Sequence, residues 1–244
     1  GIAAVRIDIR GSGNSGGVLL DEYLPREQRD LAAAVEWVAA QPWCDGNVGL
    51  IGLSWGGFAA LQAATLRPKG LRSVIAVGST DDRYATDVHY ENGALLTLNP
   101  WWAGMMLLYN ALPPHADVTG ARWRDEWVTR LEANRPWISE WLRHSARDEY
   151  WRQGSVCEDY AAIECAVYAV GGLADPYRNA IPRLLAGLRC PRKGLVGPWA
   201  HTYPDEGRPG PAIGFLQETE RFLAHWLKGE ENGAMDGPML RVYL

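Results

Sequence analysis

Residues 48–58 read VGLIGLSWGGF, and this stretch decides the fold. It begins as an apolar run typical of a buried strand and passes through the pattern G-x-S-x-G at 52–56. It then continues into a segment over 55–67, rich in Ala and Leu, that predicts a helix. A serine between such a strand and helix lies on a sharp turn that holds its hydroxyl clear of the backbone. The pattern therefore predicts Ser54 as a nucleophile.

The glycines and the tryptophan around the serine have predicted roles of their own. We expect Gly52 and Gly56 to be required because a Cβ at either position would collide across the turn. Trp55 is the first residue of the predicted helix, so its backbone N–H points at an oxyanion developing beside Ser54. The alternative is a glycine-rich turn with an idle serine.

A nucleophilic serine needs a base, and the base needs a group that orients it. In α/β-hydrolases the chain order is serine, acid, histidine, and here Ser54 is followed by Asp175 and then His201. Asp175 follows an apolar run at 166–171, and His201 follows a short one at 194–197. Both therefore lie at the carboxyl ends of predicted parallel strands, the edge where open α/β sheets place their sites.

The other histidines are weaker candidates for the base. His225 falls within a predicted helix, and three more precede the acid in the chain: His89, His115 and His144. We interpret all four as surface, core or pocket residues, and His89, close to Asp87, is a candidate to line the substrate pocket.

Strands and helices alternate along most of the chain, which predicts an α/β fold whose mostly parallel sheet carries helices on both faces. The predicted strands are 3–9, 47–52, 73–78, 166–171 and 194–197, and the predicted helices are 26–41, 55–67, 178–188 and 213–228.

Residues 80–162 break this alternation. They hold no clear strand and seven tryptophans: Trp101, Trp102, Trp123, Trp127, Trp137, Trp141 and Trp151. The segment is far longer than an ordinary connection between strands. We predict a helical cap inserted into the α/β core, with most of these rings in its own core.

Composition excludes several classes of protein. The chain has 244 residues, 47% apolar and 22% charged, with a net charge of −5. These values exclude a disordered chain and give no basic surface for nucleic acid. No apolar run reaches the roughly 18 residues of a membrane helix. The cysteines, Cys44, Cys157, Cys165 and Cys190, form no C-x-x-C pair and are interpreted as buried free thiols of a cytoplasmic protein.

Five stretches together resemble one family, that of the cocaine-esterase-like hydrolases, grouped with X-Pro dipeptidyl-peptidases and α-amino acid ester hydrolases. They are residues 5–17, 41–49, 52–57, 171–175 and 197–201. The resemblance implies an α/β-hydrolase core, a helical cap and a C-terminal jelly roll. It also implies Ser54 as nucleophile, Asp175 as orienter and His201 as base, with no cofactor or metal. One departure is Leu173, where the family commonly has Trp.

The resemblance also predicts how the chain is divided. We expect an α/β-hydrolase core at 1–79 and 163–237, the cap at 80–162, and the start of a truncated β domain at 238–244. Both ends look cut. The family's second oxyanion donor is a Tyr hydroxyl just after an earlier strand. That strand would precede Gly1 in the chain, and in the sheet it would lie between the strands predicted at 3–9 and 47–52. We expect this chain alone to fold poorly and to have little activity.

An acidic group at the start of the cap has two interpretations. Its members are Asp81, Asp82, Asp87 and Glu91. Turn and helix-cap chemistry is the favoured one. The other is a seat for a substrate ammonium group, with Asp81, Asp82, Asp87, His89 and Trp199 as candidate pocket residues.

Residues 11–16, GSGNSG, match the dinucleotide-binding pattern G-x-G-x-x-G directly after a predicted strand. In that motif the glycines open a helix whose N-terminus meets the pyrophosphate. Here residues 18–25 intervene before the helix begins, so we interpret the stretch as a tight loop at the rim of the pocket.

The sequence thus predicts a serine hydrolase that cleaves an ester or amide of a small molecule or peptide through an acyl-enzyme. An esterase is favoured over an X-Pro dipeptidyl-peptidase. The alternative of another class is a non-catalytic binding protein on a hydrolase fold, for which a broken triad would be expected. The oligomeric state is left open.

Overall fold

A computed structural model describes all 244 residues and places a five-stranded parallel sheet at the centre of the molecule. In their order across the sheet, the strands are β1 (Val48–Leu53), β2 (Leu71–Val77), β5 (Ala166–Gly172), β6 (Arg192–Gly197) and β7 (Leu240–Val242). β5 is buried along its whole length, as expected for a central strand covered on both faces.

Helices cover both faces of the sheet, as the alternating pattern predicts. They are α1 (Pro25–Ala39), α2 (Trp55–Thr65), α8 (Ala180–Gly187) and α9 (Phe215–Lys228). Along β2, Val74 and Ala76 pack into a core with α2 and α8, whereas Ile75 and Val77 pack into a second core with α9. This alternation follows from the two-residue period of a strand.

Local signals set the ends of two helices. Pro25 begins α1, where its missing N–H costs no helical hydrogen bond. α9 ends at Gly229, whose φ of 70° is a left-handed conformation that glycine adopts without a Cβ penalty.

The strand predicted over residues 3–9 is wrong. Residues 3–8 are exposed, and no strand pairs with any part of 3–9. A strand forms only against a hydrogen-bonding neighbour, and β1, at the edge of the sheet, pairs with β2 alone. The apolar composition of residues 3–9 favours a strand, but no neighbouring strand lies beside them to pair with.

At the end of the chain, β7 pairs in parallel with β6 and extends the main sheet. The division into a core, a cap and the start of a β domain at 238–244 stays a prediction.

The segment between β2 and β5 is mostly helical. Its helices are α3 (Leu98–Asn110), α4 (Ala116–Thr119), α5 (Trp123–Ala133), α6 (Ile138–Trp141) and α7 (Glu149–Arg152), and a two-stranded hairpin, β3 (Tyr90–Glu91) with β4 (Ala94–Leu95), precedes them. Of the seven tryptophans, only Trp137, Trp141 and Trp151 are buried, and Trp101 is 61% exposed. The expectation that most of these rings are core is therefore wrong.

Two further expectations concern membrane-spanning helices and the burial of the cysteines. No helix is both long and apolar enough to cross a membrane. All four cysteines are free thiols, but only Cys190 is buried, whereas Cys44, Cys157 and Cys165 are partly exposed.

Candidate active site

Ser54 lies on a strained turn between β1 and α2. Its φ of 56° and ψ of −123° are unusual for a residue with a side chain. The turn is held because Ser54 N–H donates to the carbonyl of Val77 (2.9 Å) and its own carbonyl accepts from Phe58 N–H (2.9 Å). Strain that the surrounding structure maintains is typical of the nucleophile turn of α/β-hydrolases.

The glycines around Ser54 confirm one expectation and correct another. A Cβ on Gly52 would lie 2.3 Å from the carbonyl carbon of Gly56, so Gly52 cannot carry a side chain. A Cβ on Gly56 would meet nothing within 4 Å, so the predicted collision there is wrong. The tight position is instead Gly57, where a Cβ would lie 2.9 Å from Cβ of Ser79.

Asp175 and His201 meet at the carboxyl edge of the sheet, as predicted. Asp175 follows β5, His201 follows β6, and Nδ1 of His201 lies 2.8 Å from Oδ2 of Asp175. The aspartate side chain is 2% exposed and the histidine side chain 36% exposed. A buried carboxylate on Nδ1 fixes the tautomer and leaves Nε2 to accept a proton.

The imidazole of His201 contacts the Asp175 carboxylate, and no hydrogen bond joins it to the hydroxyl of Ser54. The geometry therefore brings Ser54 and His201 to the same edge of the sheet without a direct contact between them.

Two residues that the sequence does not single out hold the acid–base pair. Tyr177 donates its N–H to Oδ1 of Asp175 (2.8 Å). Gly78, directly after β2, comes so close that a Cβ there would lie 2.9 Å from Oδ2 of Asp175 and 3.1 Å from Nδ1 of His201. Gly78 follows β2, which lies between the strands that precede Ser54 and Asp175. This position at the carboxyl end of a strand is the sequence signal that could have identified Gly78.

Trp55 begins α2, so its N–H is one of the first-turn donors without a helical acceptor and is available to an oxyanion. Its indole N–H donates to Oε1 of Glu27, whose Oε2 accepts from Tyr23 N–H (2.9 Å). Burial raises the pKa of Glu27 to about 7, against the effect of these hydrogen bonds.

Two predicted pocket residues, Asp81 and Asp82, have partners within the protein. Asp81 is 1% exposed and accepts from Arg183 Nε (3.0 Å) and from Tyr160. Asp82 accepts from the N–H groups at 84 and 85 (2.9 and 3.0 Å), the turn chemistry favoured above. These two carboxylates are structural.

Trp199 is 1% exposed and donates its indole N–H to the carbonyl of Pro211 (2.7 Å), so it lines no open pocket. Glycines surround it. A Cβ on Gly197 would lie 2.6 Å from the indole ring, and a Cβ on Gly207 would lie 2.3 Å from it. The ring thereby fixes the loop that carries His201.

His89 is buried completely, and both of its ring nitrogens face acceptors. Nε2 lies 2.6 Å from Oε1 of Glu22, and Nδ1 lies 2.8 Å from Oδ1 of Asn99. The Asn99 amide nitrogen donates to two backbone carbonyls, so its oxygen must be the acceptor. Burial lowers the pKa of His89, but the Glu22 carboxylate outweighs it and the pKa is raised. Because both ring nitrogens face oxygen acceptors, both must donate, as an imidazolium does.

The buried ion cluster comprises Glu22, Arg83, Asp87 and His89. Arg83 lies 3.2 Å from the same Glu22 oxygen as His89, so two cations balance two carboxylates. Ligand atoms of Glu22, Asp87 and His89 lie within 4.8 Å of one another, a donor set that a metal could use. Within this set, Glu22 Oε1 already faces Arg83 and Nε2 of His89, whereas Oδ2 of Asp87 has no hydrogen-bond partner.

The remaining histidines lie outside the triad. His225 contacts the carbonyl of Glu230 and His144 contacts Asp148 and Glu140, while His115 is exposed. The 11–16 loop opens no helix, which agrees with the rejection of a dinucleotide site. Arg130 of α5 instead holds it, donating to the carbonyls of Gly13 (3.0 Å) and Ser15 (2.8 Å).

Comparison with known proteins places this geometry in a family. The model for the X-Pro dipeptidyl-peptidase (S15 family) matches residues 1–203. A Mycobacterium tuberculosis protein named as a serine esterase is 27% identical, covering 100% of this chain and 47% of that protein. Cocaine esterase of Rhodococcus sp. is 26% identical, covering 100% and 48%. The chain thus spans about half the length of these curated relatives.

A solved structure agrees on the fold. A CocE/NonD family hydrolase from Staphylococcus aureus superposes with a TM-score of 0.75 at 22% identity, covering 96% of this chain and 38% of that one. At this identity the likeness shows the α/β-hydrolase fold alone. Because the family model matches most of the residues, including the turn at Ser54 and the loops of Asp175 and His201, the chain belongs to the X-Pro dipeptidyl-peptidase (S15) family.

Proposed function

We propose that the protein is a serine hydrolase that cleaves an ester or amide bond through an acyl-enzyme. The observation that carries the proposal is the buried Asp175 carboxylate on Nδ1 of His201, at the same sheet edge as Ser54 on its strained turn. The names of the relatives support it.

The proposed chemistry assigns one step to each group. Oγ of Ser54 attacks the carbonyl carbon while Nε2 of His201 takes the hydroxyl proton. Asp175 stabilises the imidazolium, and the N–H of Trp55 binds the oxyanion. His201 then gives its proton to the leaving alcohol or amine, and water releases the acid by the same route. A Tyr hydroxyl, implied by the family resemblance, is the second oxyanion donor.

The test is active-site labelling of the full-length protein with a fluorophosphonate probe, measured by intact mass. We expect one adduct on the wild type and on Ser15→Ala, a control in the 11–16 loop, and none on Ser54→Ala. Absence of an adduct on a folded full-length protein would refute the hydrolase proposal and favour a non-catalytic binding protein.

A second measurement tests the base. Since the imidazole of His201 must accept the Ser54 proton, we expect His201→Gln to lower kcat/KM more than about tenfold. Unchanged activity in this variant would contradict the role.

Within the class we favour an ester over an X-Pro amide, by analogy with the esterases among the relatives. The family model, named for X-Pro dipeptidyl-peptidases, supports the second candidate. Comparing kcat/KM for an aminoacyl ester and an X-Pro anilide separates the two.

A further inference from the structure

We propose that Tyr177, anchored through its hydroxyl on Asp87, is a positioning residue for the Asp175–His201 pair. This inference rests on the proposed function, because it concerns the same triad. It assigns Asp87 a place behind the triad instead of in a substrate pocket.

The orientation of Asp175 depends on two contacts, one to each carboxylate oxygen. Oδ2 accepts from His201 Nδ1 (2.8 Å), and Oδ1 accepts from Tyr177 N–H (2.8 Å). If the second contact is lost, the carboxylate can rotate about its Cβ–Cγ bond and the bond to His201 loses its alignment. The position of the Tyr177 backbone therefore affects the histidine.

The ring of Tyr177 contacts the elements that carry the other two triad residues. It lies edge-on to Phe58 of α2 (5.2 Å between centroids), one turn beyond Ser54, and 5.6 Å from the imidazole of His201. Tyr177 is only 4% exposed, so it offers a substrate almost no surface. Removing its hydroxyl should change how the triad is held more than how a substrate binds.

The hydroxyl of Tyr177 donates to Oδ1 of Asp87 (3.3 Å), which is 2% exposed. Asp87 is itself held, because the same oxygen accepts from Val88 N–H (2.7 Å) and its own N–H donates to the carbonyl of Tyr90 (3.0 Å). The acceptor is thus attached to the base of the cap. A tyrosine reaching it joins the cap to the loop of Asp175.

Asp87 also has a carboxylate oxygen that accepts no hydrogen bond. Its second oxygen, Oδ2, is buried without a hydrogen-bond partner, while the cations of the buried ion cluster lie nearby. Burial is the main influence that raises its pKa. Since only Oδ1 meets Tyr177, an asparagine that keeps this oxygen should preserve the anchor.

The chain contains a matched control. Tyr160 donates its hydroxyl to a buried aspartate, Asp81, in the same way, but its contacts do not reach Asp175 or His201. Tyr160→Phe therefore removes the same chemical contact and leaves the triad untouched.

The experiment measures kcat and KM for an ester on full-length variants. We expect Tyr177→Phe and Asp87→Ala each to lower kcat about five- to tenfold with little change in KM, the loss of one hydrogen bond to a charged group. The double variant should be no slower than either single one, because both remove the same contact. Asp87→Asn keeps the Oδ1 acceptor but removes one charge of the buried ion cluster, so it should lower kcat less than Asp87→Ala, and Tyr160→Phe should stay within about twofold of the wild type.

A second readout does not need activity. The proton on Nδ1 of His201 is followed by NMR in protein with 15N-labelled histidine, as its low-field resonance and its exchange with water. We expect faster exchange in Tyr177→Phe and Asp87→Ala but not in Tyr160→Phe. Unchanged exchange in both variants, or an equal loss of kcat in Tyr160→Phe, would overturn the proposal. If the wild type neither hydrolyses nor labels, the proposed function fails while this readout still decides the positioning role.

Discussion

At the scale of single residues, the site depends on groups whose importance comes from their neighbours. Ser54, Asp175 and His201 are recognisable because each follows an apolar run in the expected order. Gly78 also follows an apolar run, but its role and that of Tyr177 exist only once β2, β5 and β6 are side by side. Sequence reasoning therefore finds the groups that react and misses the groups that hold them.

Gly78 gives the first prediction. A Cβ there would press on Asp175 and His201, and its φ of +50° also strains any side chain. We expect Gly78→Ala to lower kcat/KM more than about tenfold, since displacing the pair costs over about 1.4 kcal/mol in the barrier. Gly120→Ala is the control, because its φ is +60° but its Cβ would meet nothing within 4 Å. Equal activity in the two variants would contradict the steric explanation.

Glu27 gives a prediction on pH. Its folded-state pKa of about 7 lies above the ordinary value of 4.5 because it is buried, so the folded protein holds this proton more tightly than the unfolded chain. The stability that this group contributes is therefore present below pH 4.5 and is lost as pH rises to 7. As pH rises over this range, we expect the free energy of unfolding of Glu27→Gln to fall by roughly 2 kcal/mol less than that of the wild type.

The measurement is urea unfolding at pH 5 and pH 8. Glu36→Gln, an exposed carboxylate on the same helix, is the control and should keep the wild-type pH dependence. The interpretation fails if Glu27→Gln shows the same loss of stability between the two pH values as the wild type.

At the scale of elements, the helices and four of the sheet strands agree with the periodic pattern of the sequence, because that pattern is local. Residues 3–9 have the composition of a strand and no partner, and β7 joins a sheet that its sequence does not indicate. Strand pairing depends on the neighbouring strand, and a short stretch of sequence does not contain that neighbour.

The 11–16 loop and α5 give an element-scale prediction. Arg130 is 2% exposed and fixes two carbonyls of the loop. We expect Arg130→Ala to lower the free energy of unfolding by about 1 kcal/mol, because two loop carbonyls lose their charged donor. Amide exchange at Gly11, whose N–H donates to the carbonyl of Gly16, should accelerate. Arg124→Ala, exposed on the same helix, should change neither quantity.

At the scale of the whole molecule, the sheet has an open side. β1 is an edge strand, and Ile51 within it is 47% exposed. An exposed apolar edge strand presents free backbone donors and acceptors to other strands. Ser54, which follows β1, therefore lies beside an open edge of the sheet.

We expect the 244-residue chain to associate through this edge as its concentration rises. Ile51→Lys should weaken the association by placing a charge on the edge. Sedimentation velocity over a concentration series measures the effect. Leu131→Lys, at a 41% exposed apolar position on α5, is the control. Equal loss of association in both variants would implicate general surface apolarity instead of the edge.

The enclosure of Trp199 by Gly197 and Gly207 has a consequence for how such a loop changes over generations. While the indole is present, neither glycine can become alanine without displacing a buried ring. Once position 199 has become smaller, either glycine can change, and the indole then has no space to return. At these three positions, the order in which substitutions occur therefore decides which later substitutions the fold can accommodate.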